Sequence, residues 1–342
     1  RWWRPDVKRR IRLASDQAYV ERARELVLRS VGDHVRDGSQ TACTLSGGLD
    51  SSTIAAGAAL KLKEQGERLT TLTGVLPERF EGPERDEREF AQSLVESYDC
   101  RASYVSPDEN AASCPKPYMN FYERPISNPT LYLDHAIVQA AKQQGATKLL
   151  YGDYGEAGIT NHGIGAFAWL ARQGQWRRLA VQLKALSRLR NQKSHRAFLR
   201  HAAGPYFPRL MVWSDRKRYG ELMEHPIELP IRTEVARQFG ISRNFDNMRS
   251  EARLIAAPDP RKHMEHEILH WLQAPGPRNE SMVLGVQAGH PFLDRDLLEF
   301  CLAVPPHIHW TGGWERSLVR HAMEGILPPK IQWRTCKAPF SP

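Results

Sequence analysis

Residues 44–52 read Thr-Leu-Ser-Gly-Gly-Leu-Asp-Ser-Ser. An apolar run at 42–45, typical of a buried strand, leads into this stretch, and an alanine-rich run at 53–62 predicts a helix after it. The two adjacent glycines therefore lie at a strand-to-helix turn, where backbone N–H groups and the helix dipole attract an anion. The pattern predicts a phosphate-binding loop.

This loop supplies most of the residues predicted to bind ATP or its pyrophosphate. Serine hydroxyls are additional donors, whereas the carboxylate of Asp50 would repel phosphate unless a cation such as Mg²⁺ lay between them. The motif is not a Walker loop, because Gly-x-x-x-x-Gly-Lys-Ser/Thr is absent from the sequence. The predicted ATP-binding residues of the loop are Leu45, Ser46, Gly47, Gly48, Asp50, Ser51 and Ser52.

The stretch resembles the Ser-Gly-Gly-x-Asp-Ser loop of the ATP pyrophosphatase superfamily, whose members split ATP into AMP and pyrophosphate. An ordinary turn rich in serine and glycine is the alternative interpretation. The strand, loop and helix order around the motif favours the superfamily.

Strand and helix patterns alternate through the first half of the chain. They predict an α/β fold, a parallel sheet with helices on both faces, followed by a mainly helical C-terminal region. The predicted helices cover 16–34, 86–98 and 133–143, and the further predicted strands cover 69–75, 102–105 and 148–151.

Ligands of such sheets bind beyond the carboxyl ends of the strands. The phosphate loop, the segment at Val75 and the segment beginning at Gly152 should therefore converge there. Asp153 and Glu156 follow Gly152 in Gly-Asp-Tyr-Gly-Glu, so both carboxylates could reach the ATP site. The alternative is that they are ordinary turn acids.

Composition is that of a globular domain, with 342 residues, 41% hydrophobic and 25% charged. No apolar run approaches the ~20 residues of a membrane span, and no signal segment opens the chain. The five cysteines are odd in number, widely spaced and without a Cys-x-x-Cys pair, which favours a reducing cytoplasm over disulfides or zinc. An ATP-dependent activity requires the same compartment.

The formal charge of +9 and a pI near 9.4 indicate attraction to an acidic partner. Much of the excess lies between Arg177 and Arg200, inside a longer stretch, 157–213, that contains no aspartate or glutamate. Leucines near helical spacing predict an amphipathic helix with a basic outer face. That face is either simply solvated or a surface for an acidic partner.

Motifs near the C-terminus narrow the resemblance from the superfamily to one family. His-Pro-Phe-Leu-Asp at 290–294 is followed by Gly-Trp-Glu-Arg at 313–316 and Arg-Thr-Cys-Lys at 334–337. With the phosphate loop, this order is similar to the synthetase domain of asparagine synthetase B and its relatives over nearly the whole chain. Those enzymes activate a carboxylate as an acyl-adenylate, from which an amine displaces AMP.

The resemblance implies ATP and Mg²⁺ as cofactors and assigns roles by position. Asp50 and Glu156 would bind Mg²⁺, although relatives usually carry aspartate where Glu156 stands. Asp153 would lie near the reacting amine, where relatives place glutamate or tyrosine. Lys337 matches the lysine that neutralises charge on phosphate and acyl oxygens, a role that a surface lysine would not have.

Departures from the family favour one branch. Gln287 and Gly289 stand where asparagine synthetases carry Glu-x-Arg, so two charges of the region that binds their substrate are missing. The segments at 152–163 and 313–342 look most like lasso-peptide macrolactam cyclases. That branch implies a precursor peptide as substrate, with a leader-binding protein and a leader peptidase as partners and no nucleic acid.

The sequence does not begin with methionine, and residues 1–15 read as a connector from a missing amidotransferase-like domain. Residues 16–160 are predicted to form the ATP pyrophosphatase core, and residues 161–342 the mainly helical region.

Four alternative functions remain. They are a synthetase of asparagine or β-lactam type acting on a small substrate, a tRNA-modifying enzyme, a non-catalytic ATP-binding subunit, and a zinc protease suggested by His-Glu-Ile-Leu-His at 266–270.

Overall fold

The computed structural model describes residues 3–35, 40–77, 80, 87–106, 118–120, 123, 131–207, 260–273 and 283–335. The chain divides into two compact units. The predicted domains were contiguous in sequence, whereas each observed unit is assembled from three stretches. We call Leu13–Thr160, His270–Cys301 and Leu318–Pro342 the sheet unit, and Arg1–Arg12, Asn161–Leu269 and Leu302–Ser317 the helical unit.

The predicted secondary structure of the first half is confirmed to within a few residues. The strands are β1 (Thr41–Thr44), β2 (Thr70–Gly74), β3 (Arg101–Val105), β4 (Lys148–Leu150), β5 (Gln287–Gly289), β6 (Trp310–Thr311) and β7 (Trp314–Glu315). The α-helices are α1 (Asp16–Val35), α2 (Leu49–Glu64), α3 (Arg88–Tyr98), α4 (Leu131–Gln143), α5 (Ala166–Arg172), α6 (Trp176–Leu189), α7 (Ser194–Ala197), α8 (Pro260–Gln273), α9 (Arg295–Ala303), α10 (Ser317–Ala322) and α11 (Pro329–Gln332).

A five-stranded parallel sheet in the order β3-β2-β1-β4-β5 forms the centre of the sheet unit. The predicted α/β class, a parallel sheet with helices on both faces, is confirmed. Strand β5 was not predicted, because Gln-Ala-Gly has no apolar pattern. Its pairing with β4, Lys148 opposite Gln287, makes it a strand.

Helix α4 covers one face of this sheet with its apolar side. Leu133, Ile137 and Val138 pack in one cluster with Leu72 of β2 and Leu149 of β4. Each such side chain, fully buried, contributes roughly 1.5–3 kcal/mol of hydrophobic free energy. The alternation of side chains along each strand leaves the opposite face of β1 and β2 to α2 and α3.

The helical unit has its own apolar core. Leu179, Leu183 and Leu186 form the buried stripe of α6 and pack with Phe167 of α5 and with Trp310. The predicted amphipathic helix is therefore confirmed. Strands β6 and β7 form an antiparallel hairpin in the same unit, turning at Gly312 and Gly313, whose φ values of +65° and +85° suit a tight two-residue turn.

Cys43, Cys100 and Cys301 are free thiols buried in the sheet unit. Burial raises the pKa of the Cys100 thiol to about 11 and raises the pKa of Cys43 and of Cys301 further. These cysteines therefore pack as small apolar side chains. Among the helices that the structure describes, none has both the length and the apolar character of a membrane crossing.

Candidate functional site

The loop between β1 and α2 turns at Gly47 in a conformation suited to glycine. Its φ is +69°, and a Cβ atom there would lie 2.7 Å from Phe90 Cβ and 3.0 Å from the carbonyl oxygen of Glu87. Before the turn, the amide of Leu45 donates to the carbonyl oxygen of Leu72 at 2.8 Å. The loop is thus anchored to β2 on one side and packed against α3 on the other.

The serines of this loop form a cluster at the N-terminus of α2. Ser46 donates from its backbone N–H to Ser51 Oγ at 3.1 Å, and the two hydroxyls lie 3.0 Å apart. The hydroxyl of Ser52 is buried and has no hydrogen-bond partner among the described residues. Gly48, the N-cap, offers no side-chain acceptor to the first N–H groups of the helix. These donors suit bound phosphate.

The site lies where the strand order of the sheet reverses. The chain proceeds from β1 to β2 and β3 on one side, and β4 and β5 lie on the other. Ligands bind beyond the carboxyl ends of the strands at such a switch point. Gly152, just after β4, packs against α2 so closely that a Cβ would lie 2.6 Å from Ser51 Cα and 2.7 Å from the carbonyl carbon of Asp50. The loops after β1 and β4 therefore converge, as predicted.

Val75 immediately follows β2 at the same edge of the sheet. It is buried, and its N–H donates to the carbonyl oxygen of Val105 at 2.9 Å. Its role in binding ATP stays a prediction.

Asp50 is positioned by a residue that the sequence did not indicate. The hydroxyl of Thr160 donates to Asp50 Oδ1 at 2.5 Å. Gly155 packs beside both groups, since a Cβ there would lie 2.6 Å from Thr160 Oγ1. Glu156 follows Gly155 in a short 3-10 helix and its side chain is exposed. The segments that carry the two predicted Mg²⁺ ligands are therefore packed together.

Two carboxylates beside a phosphate loop fit a Mg²⁺ ion, because Mg²⁺ in nucleotide sites takes one or two carboxylates and completes its shell with phosphate and water oxygens. Within the described residues there is no group of three His, Cys, Asp or Glu side chains that would hold a metal by itself. The donor set therefore suits a nucleotide-bound ion.

Asp153 and the neighbouring aromatic residues lie at the same strand ends. Asp153 is half-buried, and Tyr154 beside it has a left-handed backbone, with φ of +69°. The ring of His290 stacks on Tyr151 at 5.5 Å and meets Tyr154 edge-on at 5.2 Å. The His-Pro-Phe-Leu-Asp motif thus begins beside this loop, and Asp294 at its end accepts a hydrogen bond from the N–H of Leu297 in α9 at 2.8 Å.

Arg334, near the C-terminus, contacts the phosphate loop, and sequence reasoning did not assign it this role. Its guanidinium donates to the carbonyl oxygen of Gly47 at 3.3 Å, pairs with Glu87 and lies 3.9 Å from the centre of the Phe90 ring. The side chains of Arg334 and Glu87 are only 11% and 6% exposed. The guanidinium of Arg320 holds the backbone of Arg334 in place by donating to its carbonyl oxygen at 3.1 Å.

We expect Arg334→Met to raise the KM for ATP about tenfold, because a charge-assisted hydrogen bond to the turn of the loop, worth roughly 1.5–3 kcal/mol, is lost. The variant also leaves the buried Glu87 unpaired, which costs about 3–5 kcal/mol of folding free energy. Steady-state kinetics and thermal unfolding measure the two effects.

The double variant Glu87→Gln/Arg334→Met separates these effects, since it should regain thermal stability while the KM for ATP stays high. Lys330→Met is the matched control. Lys330 lies over the same Phe90 ring at 5.1 Å, but its side chain is 48% exposed and pairs with Glu89 at the surface. A KM for ATP equally raised in the control, or normal in the double variant, would show that Arg334 does not position the loop.

Lys337 lies outside the described residues, as do Cys114 and Cys336. It follows Arg334 by three residues in the sequence. Its role stays a prediction.

A second polar cluster lies within the helical unit. The Nδ1 atom of His162 donates to Glu315 at 3.1 Å, and its Nε2 atom accepts from Arg316 at 2.9 Å. Arg190 also pairs with Glu315. Burial alone would raise the pKa of Glu315, but the hydrogen bond from His162 and the charge of Arg190 outweigh it and lower that pKa. Within the helical unit, residue 162 therefore meets residues 315 and 316 at this cluster.

The basic segment from Arg177 to Arg200 includes α6 and the chain after it. Arg177 and Arg188 are exposed, whereas Arg178 contacts His307 at 2.8 Å and Arg190 pairs with Glu315. Part of the segment's positive charge is therefore engaged in contacts within the helical unit. A contact between the remaining exposed charge and an acidic partner stays a prediction.

The His-Glu-x-x-His pattern lies on α8, as the zinc interpretation required. No third ligand joins it among the described residues.

A parallel sheet with a Ser-Gly-Gly-x-Asp-Ser loop and a glycine-acid loop at its switch point defines a nucleotide-binding domain of the ATP pyrophosphatase class. The family model described as asparagine synthase matches residues 22–342, and the chain belongs to that family. A search of curated proteins found no match. Family membership makes the protein an ATP-dependent, amide-bond-forming synthetase.

Proposed function

We propose that this synthetase is a lasso-peptide cyclase, which closes a macrolactam between the N-terminal amine of a core peptide and an Asp or Glu side chain. The observation that carries the proposal is the environment of Gly289. A Cβ there would meet Leu150 Cδ2 and lie 3.1 Å from His34 Cδ2, so the arginine of an asparagine synthetase would not fit without repacking. Gln287 likewise replaces the glutamate of that pair.

The reaction has two steps. The peptide carboxylate attacks the α-phosphorus of ATP and expels pyrophosphate, and the amine then attacks the acyl carbon and expels AMP, leaving an amide after loss of one proton. Serines and backbone N–H groups of the phosphate loop would bind the pyrophosphate oxygens. Mg²⁺, held by Asp50 and Glu156, would neutralise phosphate charge.

The remaining predicted residues complete the site. Val75 and Gly152 would contact the nucleotide through the backbone at the strand ends. Asp153 would lie near the reacting amine and accept its proton. Lys337 would contact the charge that develops on phosphate and acyl oxygens.

The test is an assay of purified protein with Mg-ATP and a candidate precursor peptide, with and without its leader, run together with the leader-binding protein and the leader peptidase. A lasso-peptide cyclase should release AMP and pyrophosphate and lower the peptide mass by one water. A small-substrate synthetase would instead release pyrophosphate when given amino-acid substrates. A non-catalytic subunit would bind Mg-ATP but release no pyrophosphate.

The same proposal predicts the surroundings of the enzyme. A gene for a short precursor peptide should lie beside genes for the leader-binding protein and the leader peptidase. The reaction should occur in the cytoplasm, where ATP is available, and purified protein should carry no nucleic acid. Co-purified RNA would favour the tRNA-modifying alternative.

A further inference from the structure

A cavity of about 470 Å³ lies entirely within the helical unit. Its wall combines the N-terminal segment at 10–12, the end of α5 with the turn after it, the start of α8 and Pro305. Its volume lies in the range of sites that hold an organic ligand and is large for a single phosphate ion.

The cavity wall is strongly basic. None of the described residues that line it carries a carboxylate, and four of them are arginines: Arg10, Arg12, Arg172 and Arg261. Four like charges around one concave space repel one another, and an anion between them relieves that repulsion. Low-dielectric walls concentrate the resulting positive potential inside the cavity.

Local contacts hold part of this wall in place. Arg261 is 4% exposed and donates to the carbonyl oxygens of Leu302 at 3.1 Å and of Val304 at 3.0 Å. Arg10 donates to the carbonyl oxygen of Arg9 at 2.8 Å. These carbonyl oxygens orient the two guanidinium groups.

Arg12 and Arg172 are exposed at the rim, and in the part of the chain that the structure describes neither forms an ion pair. A guanidinium without a carboxylate partner offers a planar pair of N–H donors that matches a carboxylate or phosphate group. These two side chains are therefore available to a ligand.

The arrangement of polar groups favours an extended ligand with several carboxylates over a nucleotide. The arginines come from three separate segments, and Gln173 and Gln175, whose side chains end in amides, also line the cavity. Those amides offer both donors and acceptors, as a peptide backbone requires. Trp169, the aromatic residue of the wall, already stacks on His307 with ring centroids 5.8 Å apart.

We propose that this cavity binds an acidic segment of the peptide on which the enzyme acts. This inference rests on the proposed function for the identity of the peptide, while the binding site itself is defined by the arginines. The cavity would hold the peptide by electrostatic contacts outside the reacting groups.

The experiment measures binding of a fluorescein-labelled oligo-glutamate peptide to the full chain by anisotropy at low salt, without ATP. We expect Arg12→Gln/Arg172→Gln to weaken binding at least about tenfold, and unlabelled oligo-glutamine of the same length to leave the probe bound. Wild-type affinity should fall as salt rises toward physiological strength, where the screening length is about 8 Å. Both substituted residues are exposed, and thermal unfolding should confirm an intact fold.

Arg177→Gln/Arg188→Gln is the matched variant, because it removes the same charge from the exposed side of α6. We expect binding within twofold of wild type. If this variant loses as much affinity for the probe or more, the basic segment binds the probe and the cavity proposal is wrong. Displacement of the probe by AMP, with the same dependence on Arg12 and Arg172, would make the site one for nucleotides and would also overturn it.

The ring-closure assay separates this proposal from the proposed function. Probe binding that depends on Arg12 and Arg172, in a protein that cyclises no peptide, would support the cavity and reject the cyclase. If the protein cyclises the peptide but substitution of both arginines leaves probe binding unchanged, the cyclase proposal is supported and the cavity proposal is rejected.

Discussion

Asp50→Asn is expected to abolish substrate-dependent release of pyrophosphate while leaving the fold intact. The amide is isosteric, and its oxygen can still accept the hydrogen bond from Thr160 that Asp50 Oδ1 accepts now. The change removes the negative charge proposed to hold Mg²⁺ at the phosphates, and a metal ion stabilises such transition states by several kcal/mol. The rate should therefore fall about a thousandfold or more.

Thr160→Val is the control for position as distinct from charge. It removes the hydroxyl that orients Asp50 but keeps the carboxylate. A hydrogen bond to a charged group contributes roughly 1.5–3 kcal/mol, so we expect a loss of about tenfold, and higher Mg²⁺ should restore part of the activity. Glu156→Gln should likewise raise the Mg²⁺ concentration needed for half-maximal activity.

Pyrophosphate release over a range of Mg²⁺ concentrations, with circular dichroism of each variant, measures these effects. If Asp50→Asn kept near wild-type turnover, the assignment of Asp50 as a Mg²⁺ ligand would be wrong. A larger loss in Thr160→Val than in Asp50→Asn would mean that the hydroxyl, and not the charge, is what the site requires.

Lys337→Met is expected to bind Mg-ATP almost normally and to form product about a hundredfold more slowly. The resemblance assigns its ammonium to charge that develops on the α-phosphate and the acyl oxygen. Such an interaction is stronger in the transition state than in the ground state, so it affects kcat more than ATP affinity. Loss of one donor of this kind typically costs about 3 kcal/mol.

The measurement is single-turnover product formation with saturating ATP, alongside ATP binding by calorimetry. Lys337→Arg should rescue poorly, because a planar fork does not replace a compact point charge in a confined site. Lys330→Met, another lysine near the C-terminus but exposed and paired with Glu89, should retain normal rates. A rate of Lys337→Met within twofold of wild type would exclude the lysine from the mechanism.

The phosphate loop shows why part of the site was predictable. Strand, glycine turn and helix are specified by residues that are neighbours in sequence, so β1, Gly47 and α2 follow from local pattern alone. Alternation of strands and helices then limits the sheet to a parallel one, whose carboxyl ends share an edge. The convergence of the loops after β1 and β4 follows from that rule.

Other parts of the site depend on contacts between residues far apart in sequence. Strand β5 exists because Gln287 to Gly289 pair with β4, and a three-residue segment without apolar alternation carries no strand signal. Thr160 is 110 residues from Asp50, and Arg334 is 287 residues from Gly47. A single hydroxyl or guanidinium has no periodicity by which a sequence could reveal its partner.

The sequence by itself therefore determined the α/β class, the phosphate loop and the acids that follow β4, because helix and strand periods and turn residues act over a few positions. Tertiary structure alone decided that Thr160 contacts Asp50 and Arg334 contacts Gly47, and it alone brought four arginines from three segments around one cavity. The physical reason is that hydrogen bonds and charge interactions depend on distance in space, and only the folded chain fixes that distance.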